Sequence, residues 1–336
     1  MALSRLHALP DNDLARGQAL LIGPGADADL AVFDPDRTQV VQNFFSDHKA
    51  LAGRGFQLVD EPQGQSALAV VFAPRSRDLA RARIAQAVAH LPEGAPLWID
   101  GLKGEGIDSL LREMRGLLPV DEVHSRAHGK IFRVTLPGQG WLPAGWAAAD
   151  IQAAPGMVTR PGVFSADGPD PGSVLLAQHR PDKLPARIVA LGAGWGWLSA
   201  QILTRPAVQV LHLVEADKVA LDCARRNIAD PRAVLHWADA LGFSLPEPVN
   251  GVIMNPPFHQ SRAAEPRLGA GFIQTAARLL TGAGRLWMVA NRHLPYEEPL
   301  RAAFADVQEL GGDSRFKILT ATGAGRGSQS RRGRRG

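Results

Sequence analysis

Asn255-Pro256-Pro257-Phe258 is the stretch of this 336-residue chain whose residue types are best suited to chemistry. An exocyclic amino group on an aromatic ring is a poor nucleophile because its lone pair is delocalised into the ring. A catalyst has to hold both of its N–H bonds and turn the lone pair toward an electrophile. The side-chain oxygen of Asn255 and the carbonyl of Pro256 offer two acceptors, and the consecutive prolines Pro256 and Pro257 fix the backbone so that both face one pocket. Phe258 offers a flat face on which an unstacked base can lie. Rate then comes from orientation and fixed dipoles, because the departing proton becomes acidic only after the transfer.

A second group of residues points to a nucleoside. Ile188-Val189-Ala190-Leu191 runs into the glycine-rich turn Gly192-Ala193-Gly194-Trp195-Gly196, where Gly192 and Gly194 let the backbone approach a ligand closely. The helix that follows presents unpaired N–H groups. No Lys-Ser/Thr pair follows the turn, so it is not a nucleoside triphosphate loop. Glu215 closes the next strand, 23 residues after Gly192, the spacing at which a carboxylate grips ribose hydroxyls. Asp217 suits the N-terminus of the following helix. Asp239, after the third strand, can accept a hydrogen bond from an adenine amino group. Arg292 and His293 follow the fifth strand, where they could reach a phosphate and a substrate base. No His, Cys or carboxylate set has metal-ligand spacing, and no metal is expected.

These residues require strand ends that converge. Apolar runs at 186–191, 208–214, 234–237, 251–254, 285–290 and 316–320 alternate with helical stretches near 197–204, 217–229, 269–281 and 297–309. The first half repeats the rhythm, with strands expected at Ala19–Ile22, Leu30–Phe33, Leu68–Phe72, Leu97–Ile99 and Ile131–Val134 and helices at 77–90 and 107–118. The expected fold is α/β: two tandem Rossmann-like domains, each a mostly parallel sheet with helices on both faces. Ligands lie at the carboxyl ends of such strands. The halves echo one another. Val70-Val71-Phe72 resembles Val252-Ile253-Met254, Pro96-Leu97-Trp98 resembles Arg285-Leu286-Trp287, and Lys130-Ile131-Phe132 resembles Lys317-Ile318-Leu319. The first half lacks the chemistry, since Pro24 interrupts its glycine turn and Ala73-Pro74 stands where Asn-Pro-Pro would be. Residues 1–150 read as a degenerate copy for support or RNA contact, 151–322 as the catalytic domain, and Pro137–Gly156 as the linker.

The net charge is +4, yet the stretch 323–336 alone holds Arg326, Arg331, Arg332, Arg334 and Arg335 and no acid, which leaves about −1 for the rest. That tail is expected to be disordered and to clamp phosphates without reading sequence. No apolar run of about 18 residues can span a membrane. The polar Asp11-Asn12-Asp13 takes the place of an apolar signal core, so export is not expected. The single cysteine, Cys223, reads as core filler in a reducing cytoplasm.

Taken together, these motifs resemble those of class I S-adenosylmethionine-dependent methyltransferases, and among them the bacterial small-subunit ribosomal RNA guanine-N2 methyltransferases of the RsmC type. The likeness covers roughly 155–322 and includes Pro161-Gly162-Val163-Phe164-Ser165 with Asp170-x-Gly172-Ser173, the Asn-Pro-Pro-Phe box, and Val289-Ala290-Asn291-Arg292-His293-Leu294-Pro295-Tyr296-Glu297. It implies S-adenosylmethionine as cofactor, held by Gly192, Gly194 and Glu215 with Asp239 at the adenine. Phe164, Ser165 and Asp170 would close the pocket, and Asn255, Pro256 and Phe258 would hold the target base, with Pro257, Arg292 and His293 beside it. It also implies a ribosomal RNA or small-subunit substrate, a first domain that binds no cofactor, and action as a monomer. One position departs from the pattern: Ala190 stands where an acid usually precedes the glycine turn. Losing a charge-assisted hydrogen bond costs about 1.5–3 kcal/mol, roughly ten- to hundredfold in affinity. The residues alone leave three functions open: guanine-N2 methylation, methylation of adenine N6 or a protein glutamine amide, and a catalytically silent RNA-binding or assembly protein.

Overall fold

A computed structural model describes residues 4–138, 140–257 and 265–325 and divides them into two compact units. One holds the described residues up to Asp150 with Arg160–Gly162, and the other holds Ile151–Thr159 with the described residues from Val163 on.

In the first unit the strands are β1 (Ala19–Ile22), β2 (Thr38–Val41), β3 (Gln57–Leu58), β4 (Leu68–Phe72), β5 (Pro96–Leu102), β6 (Glu122–Arg126) and β7 (Gly129–Thr135). They form one sheet in the order β3-β2-β1-β4-β5-β7-β6, in which β7 alone runs against the others and so pairs antiparallel with both β5 and β6. Its α-helices are α1 (Asp11–Leu14), α2 (Phe45–Gly53), α3 (Arg77–Val88) and α4 (Ile107–Arg115).

The second unit opens with a hairpin, β8 (Ile151–Ala154) and β9 (Met157–Thr159). Its main strands are β10 (Arg187–Leu191), β11 (Val210–Glu215), β12 (Ala233–Trp237), β13 (Val249–Met254), β14 (Leu280–Asn291), β15 (Phe304–Gly312) and β16 (Phe316–Ala324). Helices α5 (Pro171–His179), α6 (Trp197–Leu203), α7 (Lys218–Asn227), α8 (Glu265–Leu279) and α9 (Glu297–Ala303) complete it. The sheet order β12-β11-β10-β13-β14-β16-β15 repeats that of the first unit, strand for strand. The three sequence echoes fall on the fourth, fifth and seventh strands of the two sheets, so each pair occupies one structural position.

Parallel strands covered on both faces must be apolar on both faces. Val189 and Leu191 point into a core with Val252, Met254 and the α8 residues Phe272, Ile273 and Ala276. Ile188 and Ala190 point the other way, against Leu198 and Ile202 of α6 and Leu176 of α5. This two-sided packing holds the tips of β10 and β13 rigid. Among the described residues no helix is long and apolar enough to cross a membrane.

Four expectations need correction. Leu30–Phe33 is a turn, closed by Phe33 N–H donating to the Leu30 carbonyl, and its two end residues are buried as plugs in a core rather than as a strand. The strand beside β1 is instead β2, hidden in the sequence by Gln39, which is buried because its amide exchanges hydrogen bonds with the Gln63 backbone. Second, the helix expected over 297–309 stops at Ala303; Phe304 turns extended, and 304–312 pairs antiparallel with β16 as an edge strand. Sheet pairing there outweighs the helical pattern of the segment. Third, the linker's end is ordered as the β8–β9 hairpin. Finally, Gly323 and Ala324 belong to β16, and Gly325 N–H donates to Ala303, so the first three tail residues are part of the fold. The five tail arginines lie outside the described residues.

A half-buried pair of histidines links β11 and β12: His212 Nδ1 lies 2.9 Å from His236 Nε2. Burial, then the neighbouring His236 and Arg187, hold the His212 imidazole below its ordinary value of 6.5, and burial does the same for His236. Groups whose folded values are depressed stabilise the fold above the unfolded value and lose that stability as pH falls through it. The melting temperature should therefore drop as pH is lowered from 7.5 to 5, and His236→Gln should flatten the drop. An unchanged slope in the variant would exonerate the pair.

Candidate active site

The site is built on the tips of β10 and β13. Gly192 has a left-handed φ of +68°, and a Cβ there would meet the Phe272 ring at 3.4 Å. Gly192 and Ala193 N–H both donate to the Val214 carbonyl, tying the turn to β11. Gly194, at φ +55°, has nothing within 4 Å of a Cβ position, so its backbone faces open space. The described cavity at this turn is lined by Ala190–Trp195, by Trp197, Leu198 and Ser199 of α6, by Ile253–Asn255, and by Phe164, Ser165, Asp170 and Ser173.

The Asn255 amide decides what this cavity can do. Its Nδ2 donates to Asp170 Oδ2 at 2.7 Å and to Ser173 Oγ at 2.8 Å. Its Oδ1 is buried without a partner. A flipped amide would set Oδ1 against the Asp170 carboxylate, so the charge dictates the orientation. Asp170 is fixed in turn as the N-cap of α5, with Pro171 at the first helical position and Ser173 N–H donating to Oδ2 at 2.8 Å. An unpaired buried carbonyl oxygen costs about 1–3 kcal/mol, and a ligand N–H removes that cost.

Glu215 lies at the tip of β11. Its Oε2 accepts from Gly194 N–H at 2.7 Å and its Oε1 from Asp217 N–H at 2.9 Å, so the carboxylate bridges the glycine turn and the entry to α7. Burial pushes it above the ordinary carboxylate value, and the bonds from Asp217 and Gly194 N–H oppose that rise. Each oxygen keeps a lone pair for a hydroxyl. The helix-capping role falls to Asp217, which accepts from Val219 N–H at 2.9 Å. Asp239 follows β12, the next strand over, where its Oδ1 accepts from Leu241 N–H at 2.9 Å and holds a turn. Gly192, Glu215 and Asp239 thus mark the tips of three adjacent strands, a row along which a nucleoside can lie.

The other expected residues divide. Phe164, at 48% exposure, stands at the cavity, and Ser165 takes a left-handed turn with its hydroxyl donating to Gly168. Pro256 is buried and Pro257 half-buried just past Asn255, whereas Phe258 lies outside the described residues. Arg292 and His293 do not line the cavity. Arg292 donates to the carbonyls of Asp313 and Phe316 and to Glu309, tying the end of β14 to the β15–β16 hairpin, while His293 is exposed. The segment Asn291–Glu297 is anchored from below by buried Lys317, which donates to the Leu294 carbonyl and to Glu297.

Among the cavity residues that went unassigned in the sequence are Ser173, Trp197 and Ser199. Ser173 sits one helical turn beyond Asp170, a capping spacing that could have signalled contact. Ser199 is fully buried with an unpartnered Oγ at the cavity, which only the packing reveals. Ala190 backs the same cavity, and Asp170 is the one carboxylate among its described lining residues. Among the described residues no cluster of three His, Cys, Asp or Glu could hold a metal.

Residues 155–320 match the family described as "Methyltransferase small domain". The Ribosomal RNA small subunit methyltransferase C of Stutzerimonas stutzeri is 31% identical over 282 residues, covering 81% of this chain and 84% of that protein. The chain belongs to the ribosomal RNA small subunit methyltransferase C family. The Hahella chejuensis member is 29% identical over 260 residues, covering 75% of this chain and 76% of its own length. Among solved structures, the T. thermophilus 16S rRNA N2 G1207 methyltransferase in complex with AdoMet and guanosine has a TM-score of 0.76, 22% identity, and 95% and 93% coverage of the two chains. The family fold therefore extends over both units, and the repeated strand order belongs to it. The chain is a methyltransferase, and its site fits S-adenosylmethionine: the cavity has an open glycine turn and unpartnered polar atoms on Asn255 and Ser199, and Glu215, outside the cavity lining, is tied to that turn through Gly194 N–H.

Proposed function

We propose that the protein transfers the methyl group of S-adenosylmethionine to N2 of a guanine in small-subunit ribosomal RNA. The observation that carries this reading is the unpartnered Asn255 Oδ1 at the cavity beside the glycine turn, an acceptor waiting for an amino N–H. Gly192, Gly194, Glu215 and Asp239 bind the cofactor, and Phe164 and Ser165 wall its pocket. When bound, the cofactor supplies an electrophilic methyl group on a sulfonium. Asn255 Oδ1 and the Pro256 carbonyl hold the two amino hydrogens, and Pro257 fixes the chain between Asn255 and Phe258, on which the base lies. Asn255 Oδ1 and the Pro256 carbonyl would hold the amino nitrogen with its lone pair toward that methyl group, and the proton released after transfer would leave to solvent. Because the amine is turned and desolvated by fixed acceptors, no strong base is required. The names of the relatives support the ribosomal RNA substrate. The reading includes action as a monomer in the cytoplasm, where small subunits assemble.

Incubating small subunits and naked ribosomal RNA with the protein and labelled cofactor, followed by nucleoside mass spectrometry, should yield N2-methylguanosine. N6-methyladenosine, or no product from either RNA, would overturn the reading.

The tail contributes affinity. Deleting 326–336, which leaves β16 whole, should preserve cofactor binding but weaken RNA binding. If most of its five arginines meet phosphates, the log–log salt slope should fall by roughly 2 to 3.5 units, at about 0.7 per phosphate. The choice of nucleotide should survive, since phosphate contacts position without specifying. Filter binding across a salt series checks this, and identical slopes would make the tail a bystander.

A further inference from the structure

Asp170 and Ser173 touch Asn255 from 85 and 82 residues away in the chain, and both contacts go to the amide nitrogen. An asparagine amide presents nearly the same shape in either orientation, and only its neighbours tell oxygen from nitrogen. At this site the neighbours are unequal. The Ser173 hydroxyl can donate or accept and so tolerates both orientations. The Asp170 carboxylate only accepts, and at 2.7 Å it admits nitrogen and repels oxygen.

We infer that Asp170, seconded by Ser173, is a positioning residue that locks the Asn255 amide with its oxygen toward the target amino group. The inference rests on the acceptor role proposed for Asn255 and adds how that role is enforced. Two features of the fold make the lock stiff. Asp170 Oδ2 is itself held by Ser173 N–H at the start of α5, so one oxygen serves both the helix cap and the amide. Gly172, between the two partners, leaves no room for more: a Cβ there would lie 3.0 Å from Asp170 Oδ2 and 3.3 Å from Val289. Without the lock, the amide would spend part of its time with NH2 facing the amine. Two donors would then oppose each other and methyl transfer would stall, yet the cofactor's own contacts would be intact.

The test separates this role from capping and from cofactor binding. Asp170→Ser keeps a good helix cap but is too short to reach Asn255 as well. It should retain the wild-type melting temperature, and because Asp170 also lines the cavity any loss of S-adenosylhomocysteine affinity should be much smaller than the fall in kcat, which should be at least roughly tenfold, the usual scale of a lost charge-assisted contact. Asp170→Asn, which keeps an oxygen at that position, should restore most of the rate. Ser173→Ala should lower kcat by about threefold, with KM for RNA unchanged. In an Asn255→Ala background, Asp170→Ser should have no further effect on the residual rate, because the group it orients is gone. A wild-type kcat in Asp170→Ser overturns the inference, as does a loss of rate matched by an equal loss of S-adenosylhomocysteine affinity. If Asn255→Ala is itself active, the acceptor reading fails instead. If Asn255→Ala is dead and Asp170→Ser is not, only the lock fails.

Discussion

Asn255→Ala should abolish methyl transfer while S-adenosylhomocysteine binds almost as tightly as to the wild type. The amide oxygen is buried, unpartnered and pre-aimed, so its hydrogen bond to the target amine is made without reorganisation at the moment of reaction. Contacts that strengthen only as the amine develops charge appear in kcat rather than in binding of the cofactor. Removing a preorganised group of this kind typically costs a hundred- to thousandfold in kcat, about 2.7–4 kcal/mol. Single-turnover methylation with saturating cofactor, beside calorimetry with S-adenosylhomocysteine, reads the two quantities separately. A variant that keeps more than about a tenth of wild-type kcat would show an effect below roughly 1.4 kcal/mol and would remove Asn255 from the catalytic role.

Glu215→Ala should weaken cofactor affinity by one to two decades and leave the chemical step of the saturated enzyme largely intact. The carboxylate stands at the tip of β11 with each oxygen bonded once to backbone N–H, which fixes its plane and leaves a lone pair on each oxygen for the ribose hydroxyls. Two charge-assisted bonds, offset by the desolvation of the carboxylate, account for a loss of that size. The pH dependence follows from the upward shift that burial gives this group. Ribose hydroxyls donate to the ionised form, so affinity should fall on acidification at a pH above the ordinary carboxylate value of 4.5. The Glu215→Ala variant should lack that inflection. Calorimetry between pH 8 and 5 measures both; an unchanged dissociation constant at neutral pH would reduce Glu215 to a clamp between Gly194 and Asp217.

Much of the scaffold was legible because it rests on local rules. Hydrophobic runs marked the central strands β1, β4, β10 and β13, which are apolar on both faces, and Asp217 stands where α7 begins, whereas helix α5 behind Asp170 was not read from the sequence. Edges were harder. Strand β15 carries exposed polar residues and exists because β16 offers it a ladder, and β2 contains a buried glutamine whose partner is 24 residues away. Neither partner is visible in a local window.

The same division holds at the site. The sequence by itself determined which residue types stand at the strand ends: glycines for close approach, an acid on the second strand, and an asparagine with two prolines after the fourth. Those properties depend on the spacing of residues along single strands and turns, and spacing is written in the chain. The tertiary structure alone decided what these groups do to one another. It brought Asp170 to the Asn255 nitrogen and left the amide oxygen buried without a partner, engaged Arg292 with the β15–β16 hairpin, and placed Ser199 at the cavity beside Ala190. Hydrogen-bond direction depends on which partners meet. Here they meet only after the sheet has assembled and carried residues some 85 positions apart to within 2.7 Å.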